Sequence, residues 1–181
     1  MQITYFVHSI TKDNESGFAT GWLQGKLSAE GIKRAKSLTA DLSNRDFDAV
    51  FTSDLNRSIQ SAKIFFNDNF PVFIDWRLRE CNYGDLDGTP AKDFKKNREQ
   101  EYINITYPNG ESYVDVENRI RSFLNDAKRY YNDKHIARVA HQAPQLALDV
   151  IVNNKTWEQA IADDWRKTGS WQPGWEYTTI S

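Results

Sequence analysis

Residues 5–14, Tyr5-Phe6-Val7-His8-Ser9-Ile10-Thr11-Lys12-Asp13-Asn14, decide how the rest of the chain is read. A short apolar run from Ile3 to Val7 delivers His8 and is followed by Ser9, Thr11, Lys12 and Asn14, all able to donate hydrogen bonds. Ile3, Tyr5 and Val7 alternate with Thr4, Phe6 and His8, and both faces are largely apolar, as in a strand buried in a central sheet. Such a strand puts its polar loop at the carboxyl edge, where open α/β sheets bind ligands. His141 closes a second run of this kind, His135-Ile136-Ala137-Arg138-Val139-Ala140-His141. The chain has three histidines, so two of them occupy the same kind of place.

Outward from these runs, strand and helix patterns alternate. Segment 12–26 contains Gly17, Gly21 and Gly25, has no period, and reads as a long loop. Ser28 caps a helix bearing Ile32, Ala35, Leu38 and Leu42. Residues 46–52 read as a second strand, with Ser53 or Asp54 capping the helix of Ile59, Ala62 and Phe66. Val72, Phe73 and Ile74 form a third strand, and 75–88 a charged loop. The stretch 91–101 reads as a polar helix or irregular chain with a solvated face, and Pro108-Asn109-Gly110 as a turn. Val116, Ile120, Phe123, Ala127 and Tyr130 mark a helix, and 136–140 a fourth strand. Pro144 suits the first turn of the next helix, another spans 157–165, and 175–180 alternates like an edge strand. The expected fold is one α/β domain over residues 1–181, a three-layer sandwich with a mostly parallel central sheet and helices on both faces.

Composition narrows the function. With 39% hydrophobic and 27% charged residues and a net charge of −2, the 181-residue chain reads as soluble and globular. That charge gives no argument for nucleic acid or an anionic membrane, so any anion site must be local. A lone cysteine, Cys81, allows no internal disulfide and fits a reducing cytosol as a small buried hydrophobe. No apolar run approaches the roughly 20 residues that span a bilayer, and the amino terminus lacks a basic leader region, so a cytoplasmic location is expected. Four of six tryptophans (Trp157, Trp165, Trp171, Trp175) lie near the carboxyl end, which is expected to pack on the body.

Two histidines without a neighbouring cysteine make a poor transition-metal set, and neither His-Glu-x-x-His nor a Gly-rich loop ending in Lys-Ser or Lys-Thr is present. No metal or cofactor is therefore expected. Arg57 lies just past the second strand, where a guanidinium can bind phosphate oxygens bidentately; alone it reads equally as a solvated helix arginine. Glu80, between Arg77 and Arg79, reads either as a surface ion pair or as a general acid tuned by its loop.

In order along the chain these residues resemble the histidine phosphatase superfamily, which includes phosphoglycerate mutase-like phosphatases. The first strand with His8 and Asn14 is similar to that family's opening, with Val7 and Ser9 standing where Arg and Gly are usual. Gly21-Trp22 and Leu27-Ser28-Ala29-Glu30-Gly31 match its next stretch. The signature Thr-Ser-Asp-Leu-x-Arg-x-x-Gln is intact from Thr52 to Gln60. Leu78-Arg79-Glu80, Tyr83-Gly84, Gly110-Glu111-Ser112 and Arg119 follow, and the closing Ser-His-Gly is altered to Ala140-His141-Gln142. The matches run to about Leu148.

The resemblance implies a small phosphorylated molecule as ligand and four catalytic residues, His8, Arg57, Glu80 and His141. His8 would attack phosphorus in line and become phosphohistidine. Arg57 and His141 would hold the equatorial oxygens, and Asn14, Ser9, Thr11 and Gln142 would bind substrate. Glu80 would protonate the leaving alcohol and then deprotonate water. The arginine missing at Val7 leaves Lys12, Arg79 or Arg138 as replacements, with Arg138 disfavoured inside its strand. Three readings follow: a phosphomonoesterase with a remodelled pocket, a non-catalytic relative that binds a phosphorylated ligand or partner, and a mutase. The short spacing from Glu80 to Glu111 favours a small phosphatase. Substrate choice would lie in segments 12–26 and 89–107; neither carries a code for it, and nothing encodes an oligomeric state.

Overall fold

The fold is built on the strand that carries His8. In this computed structural model, which describes residues 1–42, 45–67, 69–94 and 98–179, strand β1 spans Gln2–Val7. The short helix α1, Lys12–Ser16, follows, then α2, Ala29–Leu42. The next elements are β2, Ala49–Thr52, α3, Asn56–Phe66, and β3, Val72–Ile74. A loop with three turns of 3₁₀ helix leads to α4, Arg98–Glu101, and the long α5, Tyr113–Tyr131. The chain finishes with β4, His135–Ala140, α6, Gln142–Val152, α7, Trp157–Ala162, α8, Trp165–Thr168, and β5, Trp175–Thr178.

The strands form one sheet in the order β3-β2-β4-β1-β5, parallel except for the edge strand β5. β1 lies in register with β4 (Phe6 opposite Val139, Val7 opposite Ala140), so the loops bearing His8 and His141 leave the sheet side by side. Alternation along the strands supplies two cores. Ile3, Tyr5, Ile136 and Ala140 face α5 and α6, while Phe6, Val50, Ala137 and Val139 face α2 and α3. A parallel sheet covered on both faces needs near-continuous apolar strands, and residues 3–6 and 136–140 are all buried. The expected three-layer α/β architecture is therefore present. Among the described residues no helix is long and apolar enough to cross a membrane.

Four local expectations need correction. Segment 12–26 is not all loop, because Thr11 and Asn14 form a reciprocal capping box that starts α1. β2 starts at Ala49 instead of residue 46. Neither Ser53 nor Asp54 caps α3; its cap position is Leu55, and both polar side chains are engaged elsewhere. The helix expected over 157–165 is two, because Asp164 leaves α7 and caps α8 through its side chain. Ser28 does cap α2, accepting from the Gly31 N–H at 3.0 Å. Ile180, read as the end of the edge strand, lies outside the described residues.

Arg138 is buried on the α5 face of β4, with its guanidinium 4.7 Å from the Phe123 ring and 5.6 Å from that of Tyr5. Among the described residues none of its three side-chain nitrogens has a hydrogen-bond partner, and burial pushes its pKa down to about 10. A buried, unpaired charge costs free energy that an apolar side chain of similar volume avoids. Arg138→Met is therefore expected to raise the denaturant midpoint, corresponding to about 1–4 kcal/mol. A lower midpoint would mean that the guanidinium stabilises the core.

Candidate active site

The carboxyl ends of β1, β2 and β4 meet at a cavity of about 390 Å³ whose lining includes Val7, His8, Asn14, Arg57, Glu80 and Gln142. His8 leaves β1 with its N–H still bonded to Ala140 O at 2.9 Å, so its backbone continues the ladder. Its Nδ1 lies 2.8 Å from Ser9 O, and only a protonated Nδ1 can donate to that carbonyl. The lone pair is therefore on Nε2. Burial pushes the His8 pKa down to about 3, with a further push from the Arg57 charge, so the ring is neutral at pH 7.

His141 is fully buried, and its ring centroid is 5.0 Å from that of His8. Tyr5 holds the backbone here from the neighbouring strand: its hydroxyl donates to His141 O at 2.6 Å and accepts from His141 N at 3.0 Å. His141 Nε2 lies 2.7 Å from Ser53 Oγ, which also accepts from Leu55 N at 3.4 Å. A hydroxyl both donates and accepts, so this contact fits either tautomer of His141. Its Nδ1 is buried and has no hydrogen-bond partner among the described residues. Burial, with Arg57 and His8 nearby, keeps the His141 pKa well below its usual value.

Glu80 is buried against the start of α6. Its Oε1 accepts from Cys81 N and Ala143 N, both at 2.9 Å, and its Oε2 from Gln142 N at 3.1 Å. The Gly-Glu-Ser segment explains how the Glu80 loop is held. Ser112 caps α5, and Glu111 binds Arg119, whose Nη2 donates to Glu80 O at 2.9 Å. Arg57 is 2% exposed and donates to Leu23 O at 2.6 Å and Gly21 O at 2.7 Å. Gly21 has φ +50°, and a Cβ there would lie 1.5 Å from Asp87 Oδ1, so the loop that receives Arg57 admits glycine alone at this point.

The stretch from Thr52 to Gln60 is a set of ties. Thr52 bonds Ser58, Ser53 bonds His141, Asp54 pairs with Arg79, and Gln60 accepts from Leu27 N. The Asp54 pair commits Arg79, which also lies 4.5 Å from the Trp22 ring and does not line the cavity. Lys12 is exposed and outside the lining, and Arg138 is in the core, so none of the three expected replacements for a position-7 arginine is in the cavity wall.

Two residues expected at the substrate are not in the lining of this cavity. Thr11 is buried and caps α1, accepting from Asn14 N at 3.0 Å. Ser9 donates its hydroxyl to Gly31 O at 2.7 Å and lines an adjoining apolar cavity with Phe65, Trp165 and Trp171. Asn14 and Gln142 do line the main cavity, and Gln142 Nε2 donates to Asp164. Asp164 and Arg166 carry no sequence signal for the site and Trp165 is expected only as a packing residue, yet Trp165 and Arg166 are in the cavity wall. Asp-Trp-Arg at the start of a four-residue helix has no periodicity, and an N-capping Asp was its only signal. Of the two tryptophans flanking residues 172–174, Trp175 stacks on Trp165 at 5.3 Å and Trp171 is 57% exposed.

The neutral histidines have a consequence for stability. A histidine whose folded pKa lies below its unfolded value stabilises the fold fully above pH 6.5, and that contribution is lost as pH falls toward 3. Urea midpoints are therefore expected to drop between pH 7 and pH 5, by at most about 1.4 kcal/mol per pH unit per ring. His8→Gln should flatten the dependence. A wild-type midpoint constant across that window would contradict the neutral rings.

A family model described as the histidine phosphatase superfamily (branch 1) matches residues 6–168. A 2,3-bisphosphoglycerate-dependent phosphoglycerate mutase of Haemophilus influenzae is 27% identical over 169 residues, covering 90% of this chain and 74% of the relative. Phosphoserine phosphatase 1 of Hydrogenobacter thermophilus is 27% identical over 150 residues, covering 78% of this chain and 71% of the relative. The solved structure of the alpha-ribazole phosphatase from Shigella flexneri superposes with a TM-score of 0.78 at 24% identity, covering 90% of this chain and 84% of that one. At that identity the superposition establishes the fold.

Proposed function

The chain belongs to the histidine phosphatase superfamily, and from that premise we propose that it is a phosphomonoesterase acting on a small phosphorylated metabolite through a phosphohistidine at His8. One observation carries the reading. A neutral His8 with its lone pair on Nε2 stands beside a buried His141 whose Nδ1 has no partner among the described residues. The first is what in-line attack on phosphorus requires. The second, with its proton on Nδ1, would donate to an equatorial phosphoryl oxygen.

In this reading Nε2 of His8 bonds to phosphorus as the phosphorus–oxygen bond to the alcohol breaks. Glu80 delivers the proton to the departing oxygen and then takes one from the water that attacks the phosphohistidine. Orthophosphate leaves, and His8 is neutral again. Arg57 and His141 stabilise the charge on the equatorial oxygens, with Asn14 and Gln142 at the rim, and no metal or cofactor enters the cycle. The work would take place in a reducing, cytoplasmic compartment.

The test is a rapid quench of the wild-type protein with ³²P-labelled small phosphomonoesters. Acid-labile, base-stable label on a histidine, with turnover, is the expected result. A competing reading, ligand binding without turnover, draws support from Val7 and from the two Arg57 donors already committed to carbonyls. Saturable phosphate binding with neither label nor turnover across the panel would favour it.

A further inference from the structure

Among the described residues, the cavity that holds His8 has two cationic side chains in its wall, Arg57 and Arg166. Arg57 has Nη1 and Nη2 donating to backbone carbonyls. Arg166 is held differently. Its Nη1 donates to Asp164 Oδ1 at 2.9 Å and, more weakly, toward Gln145 Oε1 at 3.4 Å, which leaves Nε and Nη2 without an acceptor among the described residues. The guanidinium lies 4.3 Å from the Trp165 ring, which itself stacks on Trp175, so the fork has a stiff backing. Asp164 is 4% exposed, and its other oxygen accepts from Gln142, the residue after His141. One carboxylate thus fixes Arg166 relative to the start of α6. The Arg166 charge is felt at both rings, disfavouring protonation of His8 and His141.

From this placement we propose that Arg166 is a phosphate-binding residue of the site, offering Nε and Nη2 as a fork to two nonreacting oxygens of the phosphoryl group. The assignment rests on the phosphomonoesterase reading and deepens it. A phosphoryl dianion entering beside two neutral histidines and Glu80 needs more positive charge than Arg57 alone supplies. Val7 lines the same cavity and offers none. Arg166 brings that charge from the far end of the chain, on a helix whose sequence carries no motif.

Isothermal titration of the full chain with orthovanadate and with inorganic phosphate tests it. Arg166→Met is expected to weaken vanadate binding about 10- to 100-fold, the loss of a charge-assisted fork. Arg166→Lys should recover part of the affinity, because the charge remains without the planar geometry. Lys12→Ala, which changes an exposed cation outside the cavity, should leave the affinity unchanged. The Arg166 side chain is 26% exposed and its removal leaves the Gln142–Asp164 bond in place; should Arg166→Met not fold, Arg166→Gln is read by the same criterion. A vanadate affinity within threefold of wild type in the folded variant overturns the proposal, and so does a wild-type protein that binds neither anion. Weakened vanadate binding in Arg166→Met, with no label trapped on His8 of the wild type, would leave Arg166 assigned and remove the phosphomonoesterase reading. Label on His8 with unchanged binding in Arg166→Met would do the reverse.

Discussion

His8→Ala is expected to lower turnover by about 10⁴-fold or more and to remove all trapped phosphate. The size of the effect follows from the position. His8 presents the lone pair on Nε2, and its protonated Nδ1 is fixed by Ser9 O at 2.8 Å, so no other nitrogen in the cavity is set up to attack. His141 is not placed to take over, because its side chain is fully buried and its Nε2 is engaged with Ser53 Oγ. The fold should survive, since the His8 N–H bond to Ala140 O is a backbone contact and the ring is only partly buried. His141→Ala should cost less, about 10²–10³ in rate, because it removes one oxyanion donor and leaves the nucleophile. Imidazole added to His8→Ala should restore measurable hydrolysis. A variant that turns over within tenfold of wild type would exclude the covalent route.

Much of this site is legible along the chain because it is built at strand ends. The alternation of Ile3, Tyr5 and Val7 fixes β1, and a buried parallel strand has one direction in which its next polar residue can emerge. The stretch from Thr52 to Gln60 was legible as a pattern, yet the task of each residue was not. Ser53 looked like a helix cap and instead orients His141 across the sheet, a contact between residues 88 apart in the chain. The capping role of Thr11 is hidden for a related reason. Thr-Lys-Asp-Asn lacks the usual Glu or Gln of a capping box, so its hydroxyl looked available when it was satisfying a backbone N–H. Arg138 occupies a strand slot where alternation calls for an apolar residue, and nothing local signals that a guanidinium fills it. Arg166 was invisible because its place depends on Asp164 reaching Gln142 and on Trp165 stacking on Trp175, both of them tertiary contacts.

Glu80→Gln is expected to split substrates by leaving group. With an alkyl phosphate, whose alkoxide must be protonated as it departs, the variant should lose about 10²–10⁴ in kcat, the usual worth of a positioned general acid. With p-nitrophenyl phosphate the leaving group departs unaided, and the loss should be far smaller. The structure also says what else the substitution does. Glu80 accepts from three backbone N–H groups, and an amide NH₂ in place of Oε2 would face the Gln142 N–H, donor against donor. That disturbance moves the loop and the start of α6 for every substrate alike, so it appears as a common loss on both esters. The ratio of the two losses isolates the proton. Asp85 and Asp87 are the rival carboxylates next along the chain, and neither lines the cavity. Asp85 accepts from Asn109, and Asp87 from Trp22 N and Tyr83 N. Asp87→Asn should therefore depress both substrates together. A Glu80→Gln variant that loses the same factor on alkyl and aryl esters would mean that Glu80 only positions Gln142 and Ala143, and that the proton comes from elsewhere.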